Sequence, residues 1–209
     1  DTLLDLYQIN KPKIWNISVP EIPPWTRKPI KVCPFIKSCK ANRPGEEIKA
    51  DFLAHLGAHP AIHIYTDGSK MDRRVGYAAV MGDRVSHGSL PKVASIFTAE
   101  LYAIRSAVNE IVETGAEDVQ HTIFADSRSA LQALERGISR APIVIEIQEA
   151  IHRAHTRNIN LEFCWVPAHA NITDNEKADA ASKDAATVIT EDPTKAISHT
   201  DLRRSVREA

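Results

Sequence analysis

Three cysteines (Cys33, Cys39, Cys164) in 209 residues are too few for a disulfide scaffold, and their odd number argues against a secreted chain. A reducing intracellular compartment, cytoplasmic or nuclear, is the expectation. No apolar run approaches the roughly 18–20 residues of a membrane-spanning helix, so no membrane partner is expected. The opening residues Asp1-Thr2-Leu3-Leu4-Asp5-Leu6 carry neither a basic stretch nor a long apolar core, so no secretory signal is read there. A start at Asp1 rather than Met predicts a fragment, a processed product or a trimmed chain.

Strong net charge is also missing. The formal total is −1, but it is unevenly spread: residues 1–60 sum to +3, residues 61–186 to −4 and residues 187–209 to zero. An acidic middle segment cannot hold nucleic acid by bulk charge. If it binds a polyanion, something local must offset the repulsion, and a divalent metal is one candidate.

Proline is plentiful in one place. Eight of the 12 prolines fall in residues 1–60, a density that prevents long helices and central strands there. That segment is expected to be an extended connector or tail, tied down where Trp15, Trp25, Ile30, Val32, Phe35 or Ile36 meets a surface. Helical patches are expected at 1–8 and 46–56.

From residue 61 the periodicity changes. Ile62, Ile64 and Thr66 alternate with His63, Tyr65 and Asp67 at strand spacing. Strands follow at 75–81 and 84–88, with Gly82-Asp83 turning between them. A helix is expected over 97–113, where Leu101, Ile104, Val108 and Ile111 recur at helical spacing. A strand at 119–125, helices at 127–136 and from Pro142, and a strand at 159–165 come next. The last strong helix spans 173–186, opened by the capping-box pattern Thr173-Asp174-Asn175-Glu176. Residues 187–209 form a polar tail with a weak helix at 201–207. Three leading strands suit an antiparallel meander, and strand–helix alternation then implies parallel crossovers. The expected fold is α/β, one mixed five-stranded sheet in the order 3-2-1-4-5.

Four acids sit at element ends where packing does not explain them. Asp67 lies where the first strand runs out into a Gly turn, and Asp126 where another strand enters a helix. Glu100 is in the first turn of a helix, and Asp179 is on the last one. In such sheets ligands bind beyond the carboxyl ends of parallel strands. Singly, each has an ordinary reading as a turn, cap or solvated residue. Gathered together, carboxylates repel unless a cation holds them, and hard oxygen donors point to Mg²⁺ or Mn²⁺ rather than Zn²⁺. A separate pattern, Cys33-x5-Cys39 followed by His55-x3-His59, is too widely spaced and too proline-interrupted for an ordinary zinc site.

Tyr65-Thr66-Asp67-Gly68-Ser69, Thr98-Ala99-Glu100-Leu101, Ala125-Asp126-Ser127 and Trp165-Val166-Pro167-Ala168-His169, followed by Asn175-Glu176-Lys177-Ala178-Asp179, resemble type 1 ribonuclease H. The run Ser95-Ile96-Phe97-Thr98-Ala99-Glu100-Leu101 resembles ribonuclease H domains of non-LTR, LINE-type retrotransposon polyproteins. The resemblance covers residues 62–186. It implies a ribonuclease H-like fold with helices on both faces of the sheet. It also implies that residues 1–60 are a connector from an upstream reverse transcriptase in the same polyprotein. The implied activity is endonucleolytic hydrolysis of the RNA strand of an RNA–DNA hybrid, leaving 5′-phosphate and 3′-hydroxyl ends. Asp67, Glu100, Asp126 and Asp179 would bind two Mg²⁺ ions (Mn²⁺ as a substitute) about 4 Å apart. Minor-groove contacts to the 2′-OH would select RNA. His169, ten residues before Asp179, would assist proton transfer or product release.

The sequence departs from the family pattern in places. The loop after Asp67 is short and lacks a Gly/Asn-rich run, Asn171 and Asp174 replace glycines, and no basic handle lies between Arg136 and Pro142. Nucleic-acid contacts are expected from Gly68, Ser69, Lys70, Arg73, Arg74 and Arg128, with Arg136 and Arg140 as further cations. Two alternatives stay open. One is a non-catalytic module that grips nucleic acid or props a reverse transcriptase. The other keeps the fold but performs DNA strand transfer.

Overall fold

The computed structural model describes residues 13–15, 21–30, 32–34, 44–58, 60–72, 74–136, 138–168, 170–188, 192 and 195–208. The helical patch expected at 1–8 lies outside these residues, as do Phe35, Ile36, Cys39, His59, Arg73 and His169.

Among the described residues, six strands and six helices make up the main framework: β1 (Val32–Pro34), α1 (Gly45–Ala58), β2 (Ile62–Met71), β3 (Arg74–Met81), β4 (Arg84–Leu90), α2 (Ile96–Thr114), β5 (Gln120–Ala125), α3 (Arg128–Glu135), α4 (Pro142–Thr156), β6 (Asn160–Trp165), α5 (Thr173–Val188) and α6 (His199–Glu208). The sheet order is β1-β6-β5-β2-β3-β4. β2, β3 and β4 form an antiparallel meander, while β5 and β6 run parallel to β2. The expected 3-2-1-4-5 order is present within it. The strand count corrects from five to six, because β1 pairs parallel to β6 with Cys33 opposite Cys164. A three-residue strand in a proline-rich run leaves almost no periodic signal. Its place at the sheet edge is where Pro34, which cannot donate to a ladder, is tolerated.

Both faces of the sheet are covered, and strand alternation sorts the core into two layers. Ile64, Ala79, Ile123 and Phe163 face the layer built with α2, α3 and α4, where Leu101, Ile104, Val108, Leu131 and Ile147 are buried. Their neighbours Tyr65, Val80, Phe124 and Cys164 face the opposite layer with Phe52 of α1 and Ala178 of α5. Tyr65 stacks on Phe124 at 5.0 Å between ring centroids, and Phe52 meets Phe124 edge-on at 5.2 Å.

Both flanking segments touch this framework. Ile14 bridges to Ile197, and Arg27 ties residues 21–27 to α4 by hydrogen bonds to Gln148 Oε1 (2.8 Å) and the Ile22 carbonyl (2.7 Å) and an ion pair with Glu149 (3.4 Å). Among the described residues, no helix is long and apolar enough to cross a membrane.

Candidate active site

The parallel pairing of β2 with β5 ends at Thr66 opposite Ala125. Asp67 and Asp126 are therefore the next residues on two adjacent paths, where a parallel sheet opens a crevice. The local structure around Asp67 differs from expectation. β2 does not run out into a Gly turn. It continues through Met71, with Asp67, Gly68 and Ser69 opposite Ala78, Tyr77 and Gly76 of β3. Gly68 serves close packing instead of a turn. A Cβ there would lie 2.6 Å from the Glu100 nitrogen and 2.8 Å from the Ala99 carbonyl carbon, so only glycine lets the first turn of α2 rest on β2. That contact brings Glu100 to the end of the β2–β5 pairing.

Each acid is held by its own local chemistry. α2 starts at Ser95, whose hydroxyl accepts from the Thr98 N–H at 3.1 Å, as an N-cap should. Glu100 follows five residues later and accepts a hydrogen bond from the Gly68 N–H. The Asp126 carbonyl accepts from Trp165 Nε1 at 2.9 Å and from the Arg128 N–H at 3.1 Å, while Ser127 caps α3. Asp67 accepts from the Ser182 hydroxyl of α5. A Cβ at residue 76 would collide with the Ser182 carbonyl, so Gly76 is what allows α5 to lie this close to β3.

One carboxylate oxygen from each of Asp67, Glu100 and Asp126 falls within 4.8 Å of the others, the acids coming from β2, α2 and the β5–α3 junction. Asp67 and Glu100 are each only 6% exposed. Burial pushes the Asp67 carboxyl up to about 7; the Ser182 hydroxyl opposes this, and Asp126 and Asp179 add to it. Burial likewise pushes Glu100 up to about 9, reinforced by Asp126 and Asp67. Glu100 Oε2 is buried and has no hydrogen-bond partner among the described residues. A buried, unpaired carboxylate oxygen beside two further acids is costly for a metal-free protein and suited to a hard divalent cation. The donor set therefore fits such an ion.

Asp179 does not join the triad. It is half-buried on α5, and its Oδ2 pairs with Lys183 Nζ one turn on, at 2.6 Å. It is still near enough to raise Asp67. His169 lies outside the described residues, so its placement is not part of this geometry. Asn171, two residues beyond it, has φ +56°, the left-handed conformation that glycine supplies most cheaply and asparagine tolerates.

The expected nucleic-acid contacts are scattered in environment. Gly68 and Ser69 are buried within β2, and Lys70 donates to the Ala94 carbonyl at 2.7 Å. The supposed loop at 70–74 shrinks to a two-residue connection, since Met71 pairs with Arg74. Arg74 is exposed beside that turn, and Arg128 lies 3.9 Å over the Trp165 ring. Arg73 falls outside the described residues. Cys33 Sγ donates to Glu162 Oε1 at 2.7 Å, so the described part of the zinc-like pattern has another partner.

Sequence reasoning missed Trp165, Ser182 and Lys183 as supports of the acids. For the last two a signal existed: they stand three and four residues after Asp179, the spacing at which helical neighbours meet.

This fold and donor set define an α/β protein with a carboxylate centre at the open end of its parallel strands. The family model for RNase H matches residues 59–187, more than half of the chain, and the chain belongs to the RNase H family. Membership supports a hydrolytic ribonuclease that acts on RNA–DNA hybrids, in a family that uses divalent metals.

Proposed function

We propose that this chain is an endonuclease that cuts the RNA strand of RNA–DNA hybrids by two-metal-ion hydrolysis, leaving 5′-phosphate and 3′-hydroxyl ends. The observation that carries the reading is the triad of Asp67, Glu100 and Asp126 with its unpartnered Glu100 Oε2. Asp67, Glu100 and Asp126 hold the cations, and Asp179 joins them when it exchanges Lys183 for metal. Two Mg²⁺ ions bound there supply the positive charge that favours an attacking hydroxide and a departing 3′ oxygen. The chain's own residues do the rest. Ser182 and the Gly68 N–H fix the rotamers of Asp67 and Glu100 before substrate arrives. Arg74 and Arg128 meet backbone phosphates, and His169 moves a proton at the leaving oxygen. The sequence resemblance to LINE-type polyproteins supports reading the domain as part of a retrotransposon replication protein, joined through residues 1–60 to a reverse transcriptase.

A labelled hybrid, double-stranded RNA and double-stranded DNA are incubated with the chain in Mg²⁺ and in EDTA. The expected result is cleavage of the hybrid's RNA strand alone, only with the metal, and abolished in Asp126→Asn. Equal cutting of all three duplexes, or turnover unchanged in Asp126→Asn, contradicts the reading. Hybrid binding without cleavage in Mg²⁺ and Mn²⁺ would instead favour the non-catalytic module.

A further inference from the structure

The family match ends at residue 187, yet the chain beyond it returns to the helix that carries Glu100. Residues 198–201 form a capping box at the start of α6: the Ser198 hydroxyl accepts from the Asp201 N–H at 3.0 Å, and Asp201 Oδ2 accepts from the Ser198 N–H at 3.4 Å. The same Asp201 Oδ2 also accepts from Thr98 Oγ1 at 2.5 Å. Asp201 is 2% exposed, as is Thr98, so this charge-assisted bond is shielded from water. Its other oxygen faces Arg204 at 3.5 Å.

Further contacts tie the flanking segments to α2, to α4 and to each other. The Tyr102 hydroxyl donates to the Ala196 carbonyl at 2.8 Å. Trp15 stacks on Tyr102 at 5.4 Å and donates through Nε1 to Glu146 Oε1 at 3.0 Å. The Trp15 N–H donates to the Ile197 carbonyl, and the Ile197 N–H to the Lys13 carbonyl. Residues 13–15 and 195–202 thus close over α2 from opposite ends of the chain.

Resting on the proposed two-metal reading, we infer that Asp201 is a positioning residue for Glu100, acting through Thr98, and that the C-terminal extension belongs to the catalytic unit. Thr98 is two residues before Glu100 in the first turns of α2. On the other side that turn is pressed against Gly68 with no room for a Cβ. Held between Asp201 and β2, the first turn has no slack, and the Glu100 carboxylate keeps its place beside Asp67 and Asp126. Loss of the Thr98–Asp201 bond lets the turn move, and a small displacement of a ligand is expensive in a preorganised site.

The test compares Thr98→Val, Asp201→Ala and Thr98→Ser in the full chain. Hybrid cleavage is followed against Mg²⁺ concentration, and the Mg²⁺-induced rise in melting temperature is measured separately. Thr98→Val is expected to lower kcat about 10-fold and to raise the Mg²⁺ midpoint several-fold, with KM for hybrid within twofold. Its Mg²⁺-induced melting shift is expected to shrink by half or more. Thr98→Ser, which keeps the hydroxyl, returns both readouts to within twofold of the parent. Asp201→Ala should match Thr98→Val; if it fails to fold, the threonine pair alone decides. Variants that melt earlier but keep the parent kcat and Mg²⁺ midpoint overturn the inference, because a purely structural bond would behave that way. A parent chain that neither cuts hybrid nor gains stability with Mg²⁺ overturns the two-metal reading itself, and the inference with it.

Discussion

Asp67 and Asp179 are the same residue type near the same crevice, Asp67 on β2 packed against α5 and Asp179 on α5 itself, but their surroundings differ. Asp67 is buried, takes the Ser182 hydroxyl, and has its carboxyl pushed up to about 7. Asp179 is half-buried and already neutralised by Lys183. The contrast teaches that the two carboxylates differ in readiness. The buried Asp67 and Glu100 hold protons more tightly than ordinary carboxyls and give them up when a cation arrives, while Asp179 has a counter-ion to give up first.

The largest break in this comparison comes from removing a member of the triad. Asp67→Asn or Asp126→Asn is expected to cost about 10³-fold or more in Mg²⁺-dependent hybrid cleavage, measured at saturating substrate, with circular dichroism unchanged. Gly68→Ala comes next. Its Cβ would force α2 away from β2, and overpacking of this kind costs about 1–3 kcal/mol, read as a lower denaturation midpoint together with weaker Mg²⁺-dependent activity.

A third effect is pH dependence without metal. Asp67 and Glu100 have raised carboxyls, about 7 and about 9, so the folded chain binds more protons than the unfolded one. The stability they contribute is fully present below the ordinary carboxylate range and is lost as pH rises, through about 7 for Asp67 and about 9 for Glu100. Chemical denaturation in EDTA should show that decline, and Glu100→Gln should flatten its upper part. Because a cation binds the deprotonated forms, the melting shift produced by Mg²⁺ should grow over the same pH window.

The smallest effect is expected at Lys183. Lys183→Gln removes a partly exposed helical pair, a change of roughly 0.3–0.5 kcal/mol in stability. It also frees Asp179, so the Mg²⁺ midpoint should fall about two- to threefold, the direction set by adding an unpaired negative charge to the crevice. A rise in that midpoint would mean that Lys183 assists the site rather than competing for Asp179.

Much of this architecture was legible in the residues. Alternation at 62–66 and helical spacing at 97–113 each correspond to an element, because each buries a regular stripe, and the helix expected from Thr173 is present although its Glu176 N–H bonds to the Ile172 carbonyl. β1 escaped because a three-residue edge strand has no period to read. Asp67 was placed at a strand end because Gly68 looked like a turn, when its function is to let a helix backbone approach. That use of glycine depends on what packs against it, and no local pattern carries it. The convergence of Asp67, Glu100 and Asp126 followed from topology once the strand order was known. The support from Thr98 and Asp201, 103 residues apart in sequence, had no local signature.

The proposed chemistry requires that Asp67, Glu100 and Asp126 bind a divalent cation together. Anomalous diffraction from crystals of the chain soaked in Mn²⁺ tests it most directly. A peak bounded by the carboxylates of Asp67, Glu100 and Asp126 is expected, lost in Glu100→Gln or displaced toward Asp179. Strong Mn²⁺ peaks elsewhere on the chain, with none among these oxygens, would contradict it.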